Sequence, residues 1–495
     1  LVNGEPAVAL SIVALVVLGT IAVALIGVRR IKMDLQQYIV GGRSLGTVFL
    51  WVLLAGEIYT SFTFLGAAGW AYGFGAPAYY ILAYGTCAYI IGYFLLPPIW
   101  RAGKEHGLLT GPDLFAARYG SRTMSVLIAV CQFILIVPYV TLQLSALQIL
   151  LQIAGYGTYD ATISVAVAFM LIAFFVLTAG LRGTAWASII KDAFVLAAVV
   201  FAGVAIPLRF FGSPAAMLDH MVRFHPQMLV LAPGTAVHGT VWYASTVLLT
   251  AIGFFMGPQS MNATYSARSE DALRRNALLL PLYQIILLLM IFAGFSALLI
   301  APGLKGPAVD QSFLLVVQHY YPAWVMGLVA AAGSLAALVP ASALLLAAAS
   351  VFAKNVLGDA FGIATGDAAR TLATRSLVVI VALLALGLWL SERRTIVELL
   401  LIYYNGITQF APGVIAAFLW RRANAWGVGA GLVAGFALAL PLTYANVAPW
   451  GINAGFAALL VNAAVLIVIS LLTPSGSLGA TRNSRGNKPA YHPED

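Results

Sequence analysis

Apolar residues fill this chain in blocks of about twenty, separated by short polar stretches. A helix of about 20 apolar residues crosses the hydrocarbon core of a bilayer, so each block reads as a membrane span. Thirteen spans are predicted: 7–27, 46–71, 77–100, 123–153, 159–180, 184–206, 240–261, 276–301, 322–353, 373–390, 396–420, 425–444 and 452–473. Two of them are interrupted. Span two carries Glu57, then Tyr59, Thr60, Ser61 and Thr63, then Gly66, Gly69, Gly73 and Gly75. A mid-membrane carboxylate costs roughly 2.5–3.5 kcal/mol on insertion scales, so Glu57 is expected to face a cavity or a partner. The glycines predict a helix that breaks, with polar groups at the break. Span seven is interrupted at Gly257-Pro258, with Gln259 and Asn262 following.

Broken helices in matching positions of two halves are the way many secondary transporters build a midplane site. Spans two to six and seven to eleven make five plus five. The chain then divides into a first helix and cytoplasmic loop (1–45), a first five-helix repeat (46–206), an extracellular segment (207–239), a second five-helix repeat (240–420), two C-terminal helices (421–473) and a tail (474–495). The segment 207–239 holds Pro207, Pro214, Pro226 and Pro233 and is expected to form short helices on the outer face. The tail is polar and rich in Gly and Ser, and disorder is expected there.

Composition agrees with this picture. The chain is 62% hydrophobic and 9% charged, with mean hydropathy +0.95, whereas soluble domains carry about 25% charged residues. The net charge of +9 would suggest nucleic acid if it were clustered. Instead, with the N-terminus placed outside, 21 of the 26 Lys and Arg fall on the inner side and 5 on the outer. That bias is the topology signal of a multi-pass inner (plasma) membrane protein with its N-terminus out and C-terminus in. The charge order around span one, Glu5 before it and Arg29, Arg30 and Lys32 after it, is the reverse of a signal peptide's.

Candidate chemistry is sparse. Cys87 and Cys131 both lie in apolar spans, which implies no disulfide framework. The six histidines show no metal-ligand spacing, and no nucleophile–base arrangement stands out, so neither a metal site nor an enzyme is expected. Burial raises a carboxyl pKa by as much as 3–5 units, which suits Glu57 to carrying a proton. Lys191 and Asp192 are consecutive and point about 100° apart on a helix, so they are not expected to pair neatly; Lys191 is expected to snorkel to the interface. Tyr139 follows Pro138 in span four, with Gln143 one turn later. Packing is the competing account of Tyr139. Helix–helix hydrogen bonding is the competing account of Gln259, Asn262 and Gln409.

Several stretches resemble the sodium:solute symporter family. They are Gly41-Gly-Arg43-Ser44 before span two, Phe64-Leu-Gly66-x-x-Gly69-x-Ala-Tyr72, Ala348-Ala-Ser350-Val-Phe-Ala-Lys-Asn355 at the end of span nine, and Gln409-Phe-Ala-Pro412 followed by Leu419-Trp-Arg-Arg-Ala423. Together they cover about residues 38–435. The tracts Ala55-Gly-Glu57-Ile-Tyr, Trp70-Ala-Tyr-Gly-x-Gly75-Ala-Pro77, Leu96-Pro-Pro98-Ile-Trp100 and Arg274-Arg-Asn276 are similar to those of bacterial monocarboxylate permeases in that family. The resemblance implies an all-α integral membrane protein with a LeuT-type 5+5 inverted repeat and alternating access. It implies symport of a small carboxylate (lactate, pyruvate, acetate or alanine type) with a coupling cation, H+ or Na+, and no other cofactor. Its expected partners are the substrate and the lipid bilayer, with no nucleic acid, and a monomer is expected.

The coupling ion is expected at Glu57 and Asp192, and at Ser188, the position that the resemblance matches to the family's span-six Asp. The substrate is expected at Tyr59, Thr60, Ser61, Thr63, Gln259, Asn262 and Gln409, and at Tyr139 and Gln143, whose helix resembles the family's substrate-facing one. The chain departs from the family where sodium-coupled members carry a Ser/Thr pair in span nine, here Val339 and Pro340, and an Asp in span six, here Ser188. Those departures favour a proton over sodium. Two alternatives remain: a sodium-coupled symporter of another substrate class, and a membrane solute sensor acting through a separate signalling partner.

Overall fold

The computed structural model describes residues 4–28, 50–51, 54, 59–364, 366–391 and 393–474. Among them the regular elements are helices. In chain order they are α1 (Glu5–Val28), α2 (Ala67–Phe74), α3 (Tyr80–Glu105), α4 (Gly111–Tyr119), α5 (Arg122–Ala154) and α6 (Ala161–Val200). Next come the short α7 (Ile206–Phe211) and α8 (Pro214–Phe224), then α9 (Thr240–Gly253), α10 (Pro258–Ser266), α11 (Glu270–Ile285), α12 (Leu288–Ile300) and α13 (Ser312–Tyr320). The last six are α14 (Ala323–Phe352), α15 (Asp367–Ser391), α16 (Ile396–Ile407), α17 (Ala411–Leu419), α18 (Ala425–Tyr444) and α19 (Ala454–Leu472).

Among the described residues, eleven stretches of helix are long and apolar enough to cross a membrane, twelve if the bent pair α9 and α10 is one span. The sequence predicts thirteen; span two falls partly outside the described residues and is not among the eleven. Spans five and six, separated in the sequence reading near Arg182, run as continuous helical backbone through α6 and contribute two of the eleven. Only Gly180 and Gly183 weaken helix there, and their neighbours Leu, Arg and Ala favour it. The expected short helices between spans six and seven are α8 and a 3-10 turn at Pro226–Leu229; α7 continues span six through a π-turn at Phe201–Ala205 to Phe211.

α14 sits at the centre. It is apolar all round and rich in Ala, the pattern of a helix buried on every side. It packs against α1, α5 and α6, and small residues let those backbones approach closely. The register between α6 and α14 is set by a hydroxyl pair, Thr184 Oγ1 and Ser342 Oγ, 2.9 Å apart. At one end of the bundle α4 is clamped to the end of α14: Lys354 Nζ reaches Asp113 Oδ1 at 2.7 Å and Asp359 Oδ2 at 2.8 Å, and Asn355 Nδ2 also donates to Asp113. Arg370 Nη2 completes the chain at Asp359, 3.2 Å away.

Candidate binding site at two broken helices

Span two breaks after Tyr59 and Thr60, which lie in a bend, and continues through a π-turn at Phe62–Gly66 into α2. Such widened turns inside helices are frequent at functional sites. Thr60 Oγ1 accepts from the Phe62 N–H at 3.1 Å, and Thr63 Oγ1 donates to the Thr60 carbonyl at 2.9 Å. Both hydroxyls thus help shape the break itself.

Span seven breaks between α9 and α10, whose axes differ by 47°. Gly257 is extended (φ −70°, ψ 153°) and Pro258 opens α10 with no side-chain cap. Proline suits that first helical position because its missing N–H has no intrahelical partner anyway. The N–H groups at an uncapped helix start carry partial positive charge into the bundle. Gly257 is glycine for a packing reason: a Cβ there would stand 2.2 Å from the Tyr403 hydroxyl oxygen.

A polar chain joins the two breaks. Ser61 Oγ donates to Gln143 Oε1 on α5. One turn earlier on the same face of α5, the Tyr139 ring lies 4.8 Å from that of Tyr403 on α16. Gln259 Nε2 of α10 donates to the Tyr403 hydroxyl at 3.1 Å. All five side chains are buried. Among the described residues three carboxamide atoms here have no hydrogen-bond partner: Gln143 Nε2, Gln259 Oε1 and Asn262 Oδ1. Buried polar atoms are nearly always satisfied, so a cluster of exceptions points to a missing partner.

A second cluster lies beside the first break. Lys191 is fully buried, with its Nζ 3.2 Å from the Tyr59 carbonyl oxygen and 3.0 Å from Asp192 Oδ1. This corrects two expectations. Lys191 does not snorkel, because the break offers it a carbonyl inside the bundle. It also meets its neighbour Asp192, because the long lysine stem folds across the angle that separates their Cβ atoms. The Tyr59 hydroxyl donates to the Tyr283 carbonyl at 2.9 Å, with the two rings 4.3 Å apart. Ser188 Oγ donates to the Thr184 carbonyl at 2.9 Å, within its own helix.

The structure therefore brings Ser61, Tyr139, Gln143 and Gln259 into one connected group, with Asn262 on the same half-helix. It does not bring Gln409 there: that side chain donates to the Asn405 and Gly455 carbonyls, and Asn462 Nδ2 on α19 donates to both its Oε1 and its backbone carbonyl. Its place is the seam with the C-terminal helices, so the substrate expectation for Gln409 is corrected to helix–helix bonding. Glu57 lies outside the described residues. Sequence reading missed Tyr403; the only signal was the pair Tyr403-Tyr404 interrupting an apolar span.

Near residues 235–238, aromatic rings of α2, α3 and α9 pack together. Trp70 of α2 stacks on Trp242 of α9 at 5.6 Å and also meets His238 and Tyr80. Beyond them lies a cavity of about 530 Å³ lined by Trp70, His238, Trp242, Arg394, Glu398 and Asn405 among others. Burial pushes the His238 imidazole below its usual range, against a smaller upward pull from Glu398. Alongside, Asp310 Oδ2 accepts from the Ile396 N–H at 2.8 Å, capping α16. α2 touches the same carboxylate at Gly69, where a Cβ would stand 2.6 Å from Asp310 Oδ1.

Two interrupted spans facing each other across buried polar groups are the build of a secondary transporter. Comparison with known proteins agrees. The model of the sodium:solute symporter family matches residues 38–435, and the chain belongs to that family. It is 37% identical to the uncharacterized symporter YhjB of Bacillus subtilis (strain 168) over 463 residues, covering 90% of this chain and 94% of that protein. It is 27% identical to the monocarboxylate transport permease protein of Rhizobium johnstonii, covering 89% and 91%. Among solved structures it resembles a Na+-coupled sialic acid symporter in a substrate-bound outward-open state, with TM-score 0.78 at 14% identity over 95% of this chain and 99% of that one; that likeness shows the fold. The protein is a multi-pass membrane transporter that couples solute movement to a cation, and it is not an enzyme.

Proposed function

We propose that the protein imports a small monocarboxylate of the lactate, pyruvate, acetate or alanine type, coupled to protons rather than to sodium. The observation that carries this reading is the set of unspent hydrogen-bonding atoms at the two breaks, Gln143 Nε2, Gln259 Oε1 and Asn262 Oδ1. A small carboxylate would take the Gln143 donor and the exposed N–H groups at the start of α10, where helix polarity favours an anion. The two acceptor oxygens suit a hydroxyl or ammonium group on the same molecule. Tyr139 and Tyr403 narrow the space between α5 and α16, which favours a small solute. The relative named as a monocarboxylate permease supports the substrate class.

Proton coupling is assigned to Glu57, with Asp192 close to the same break. The membrane orientation is N-terminus out and C-terminus in, on the 21-to-5 partition of basic residues, and the paired broken spans are the first members of two inverted five-helix repeats. Counterflow of labelled lactate, pyruvate, acetate and alanine in proteoliposomes tests the substrate class. Accumulation under an imposed pH gradient tests the coupling. Glu57→Gln, which mimics the protonated acid, is expected to keep exchange and lose gradient-driven accumulation. Accumulation that persists in this variant, or a wild type that needs sodium and ignores pH, refutes the proton assignment.

A further inference from the structure

The family implies sodium, so the residues at the break of span two have to be tested against a sodium site. Sodium is a hard cation without directional bonding, and a protein holds it with several oxygens at once. Unwound backbone carbonyls at a broken helix supply some of them. Here the Tyr59 carbonyl at the break already receives the Lys191 ammonium at 3.2 Å. On α14, just before the Ser342 that meets Thr184 of α6, stand Val339 and Pro340, which have no side-chain oxygen. The nearest hydroxyl beyond them, Ser342 Oγ, donates to the Val339 carbonyl at 2.7 Å and sits against Thr184 Oγ1. Thr184, Ser188 and Lys191 follow one another at helical spacing, so a single stripe of α6 carries the hydroxyls opposite α14 and then the ammonium at the break. Among the described residues, these groups leave few free oxygens for a sodium ion at the break, and a fixed positive charge already stands at the Tyr59 carbonyl.

We propose that the Lys191 ammonium is the resident cation of this transporter's broken helix, a built-in replacement for sodium that ties the Tyr59 carbonyl to Asp192. The proposal rests on the cation-coupled reading above and deepens it: the position that a mobile ion would fill and vacate is held by a side chain, so no sodium ion binds there in the transport cycle. Charge balance agrees, because Lys191 and Asp192 form a neutral pair at 3.0 Å, and an added sodium ion would face the ammonium directly. The ionisable groups around Lys191 are Asp192 on its own helix, Tyr59 from span two and Tyr283 from α11, with Glu57 two residues before Tyr59. α14 presents the hydroxyl of Ser342, and on α15 Arg370 is engaged by Asp359.

The test uses the purified full chain. Its Tm is measured in NaCl, KCl and choline chloride at matched ionic strength, because an ion that binds only the folded state raises Tm in a saturable way. The wild type is expected to show no sodium-specific rise. Lys191→Ala, which empties the position beside the Tyr59 carbonyl and Asp192, is expected to have a lower Tm in choline chloride and to recover part of the loss in NaCl but not in KCl. Lys191→Arg keeps the charge and is expected to stay indifferent to sodium. A saturable sodium-specific rise in the wild type overturns the proposal, whether or not the variants fold. A folded Lys191→Ala as indifferent to sodium as the wild type also overturns it. Counterflow of labelled lactate, pyruvate, acetate and alanine is run on the same preparation. Its absence for all four would refute the substrate reading while leaving the sodium measurement to decide the role of Lys191.

Discussion

Gln259 donates a hydrogen bond from Nε2 to the Tyr403 hydroxyl at 3.1 Å, and this contact ties the broken span seven to α16. Removing the acceptor while leaving the carboxamide buried costs about 1–3 kcal/mol. Tyr403→Phe is therefore expected to raise the KM for monocarboxylate counterflow, by about fivefold to thirtyfold for a 1–2 kcal/mol loss of site order. An unchanged KM in a folded variant would remove this hydrogen bond from the binding site.

Gly257→Ala is expected to abolish or strongly reduce counterflow without preventing insertion. The backbone there is extended and suits any residue, so the effect has to come from the contacts a Cβ would make, with the Tyr403 hydroxyl at 2.2 Å and with the Gln259 carboxamide at 2.6 and 2.7 Å. The double variant Gly257→Ala/Tyr403→Phe removes the nearest crowding oxygen and leaves the Gln259 carboxamide room to shift, so it is expected to recover part of the activity. Residues in contact show such coupling, and additive losses would argue against the contact.

Asp310 contributes a pH dependence on the face that carries residues 235–238. Its carboxyl is pushed up to about 7, first by burial and also by Glu398, against the lowering effect of the Ile396 N–H. Its unfolded value is about 3.9, so between these two pH values the folded state holds a proton that the unfolded chain has lost. Stability from this group is therefore greatest below about pH 4 and falls as pH rises toward 7. Asp310→Asn keeps an acceptor for Ile396 and cannot ionise. Its Tm is expected to exceed that of the wild type at pH 8, with the difference shrinking as pH falls; a lower Tm at pH 8 would refute the assignment.

Asp113 has the opposite sign. Burial alone would raise its carboxyl, but the Lys354 charge and hydrogen bonds from Lys354, Leu109 and Asn355 outweigh it and hold the group below its ordinary range. That contribution is fully present above about pH 4, the unfolded value, and is lost as pH falls through the lower folded value. Asp113→Ala is expected to lower stability at pH 7 by about 3 kcal/mol, the lower end for breaking a buried pair, because Lys354 keeps Asp359. Thermal unfolding of the two proteins at pH 7 and in acid checks this; a difference that does not narrow in acid would mean the charge pair is not its source.

Much of this molecule was legible in its sequence. A bilayer core offers no water to the backbone, so spanning segments must be long apolar helices, and such runs can be counted directly. The break of span seven is equally visible, because Gly257 and Pro258 weaken helix wherever they stand; that of span two lies at Tyr59 and Thr60, ahead of Gly66 and Gly69, which stand in the π-turn and in α2. Which side chains meet at the breaks was not legible. Helical periodicity assigns a residue to a face; what packs against that face is decided by neighbours far away in the chain. Gln259 and Gln409 look alike in sequence, yet one reaches Tyr403 and the other is spent on the C-terminal helices. Lys191 shows the difference most clearly. Near the end of an apolar run, snorkelling to water is the cheapest expectation for a lone ammonium. Only the packed structure places a backbone carbonyl from span two within its reach, and a long side chain turns toward whichever oxygen the fold supplies.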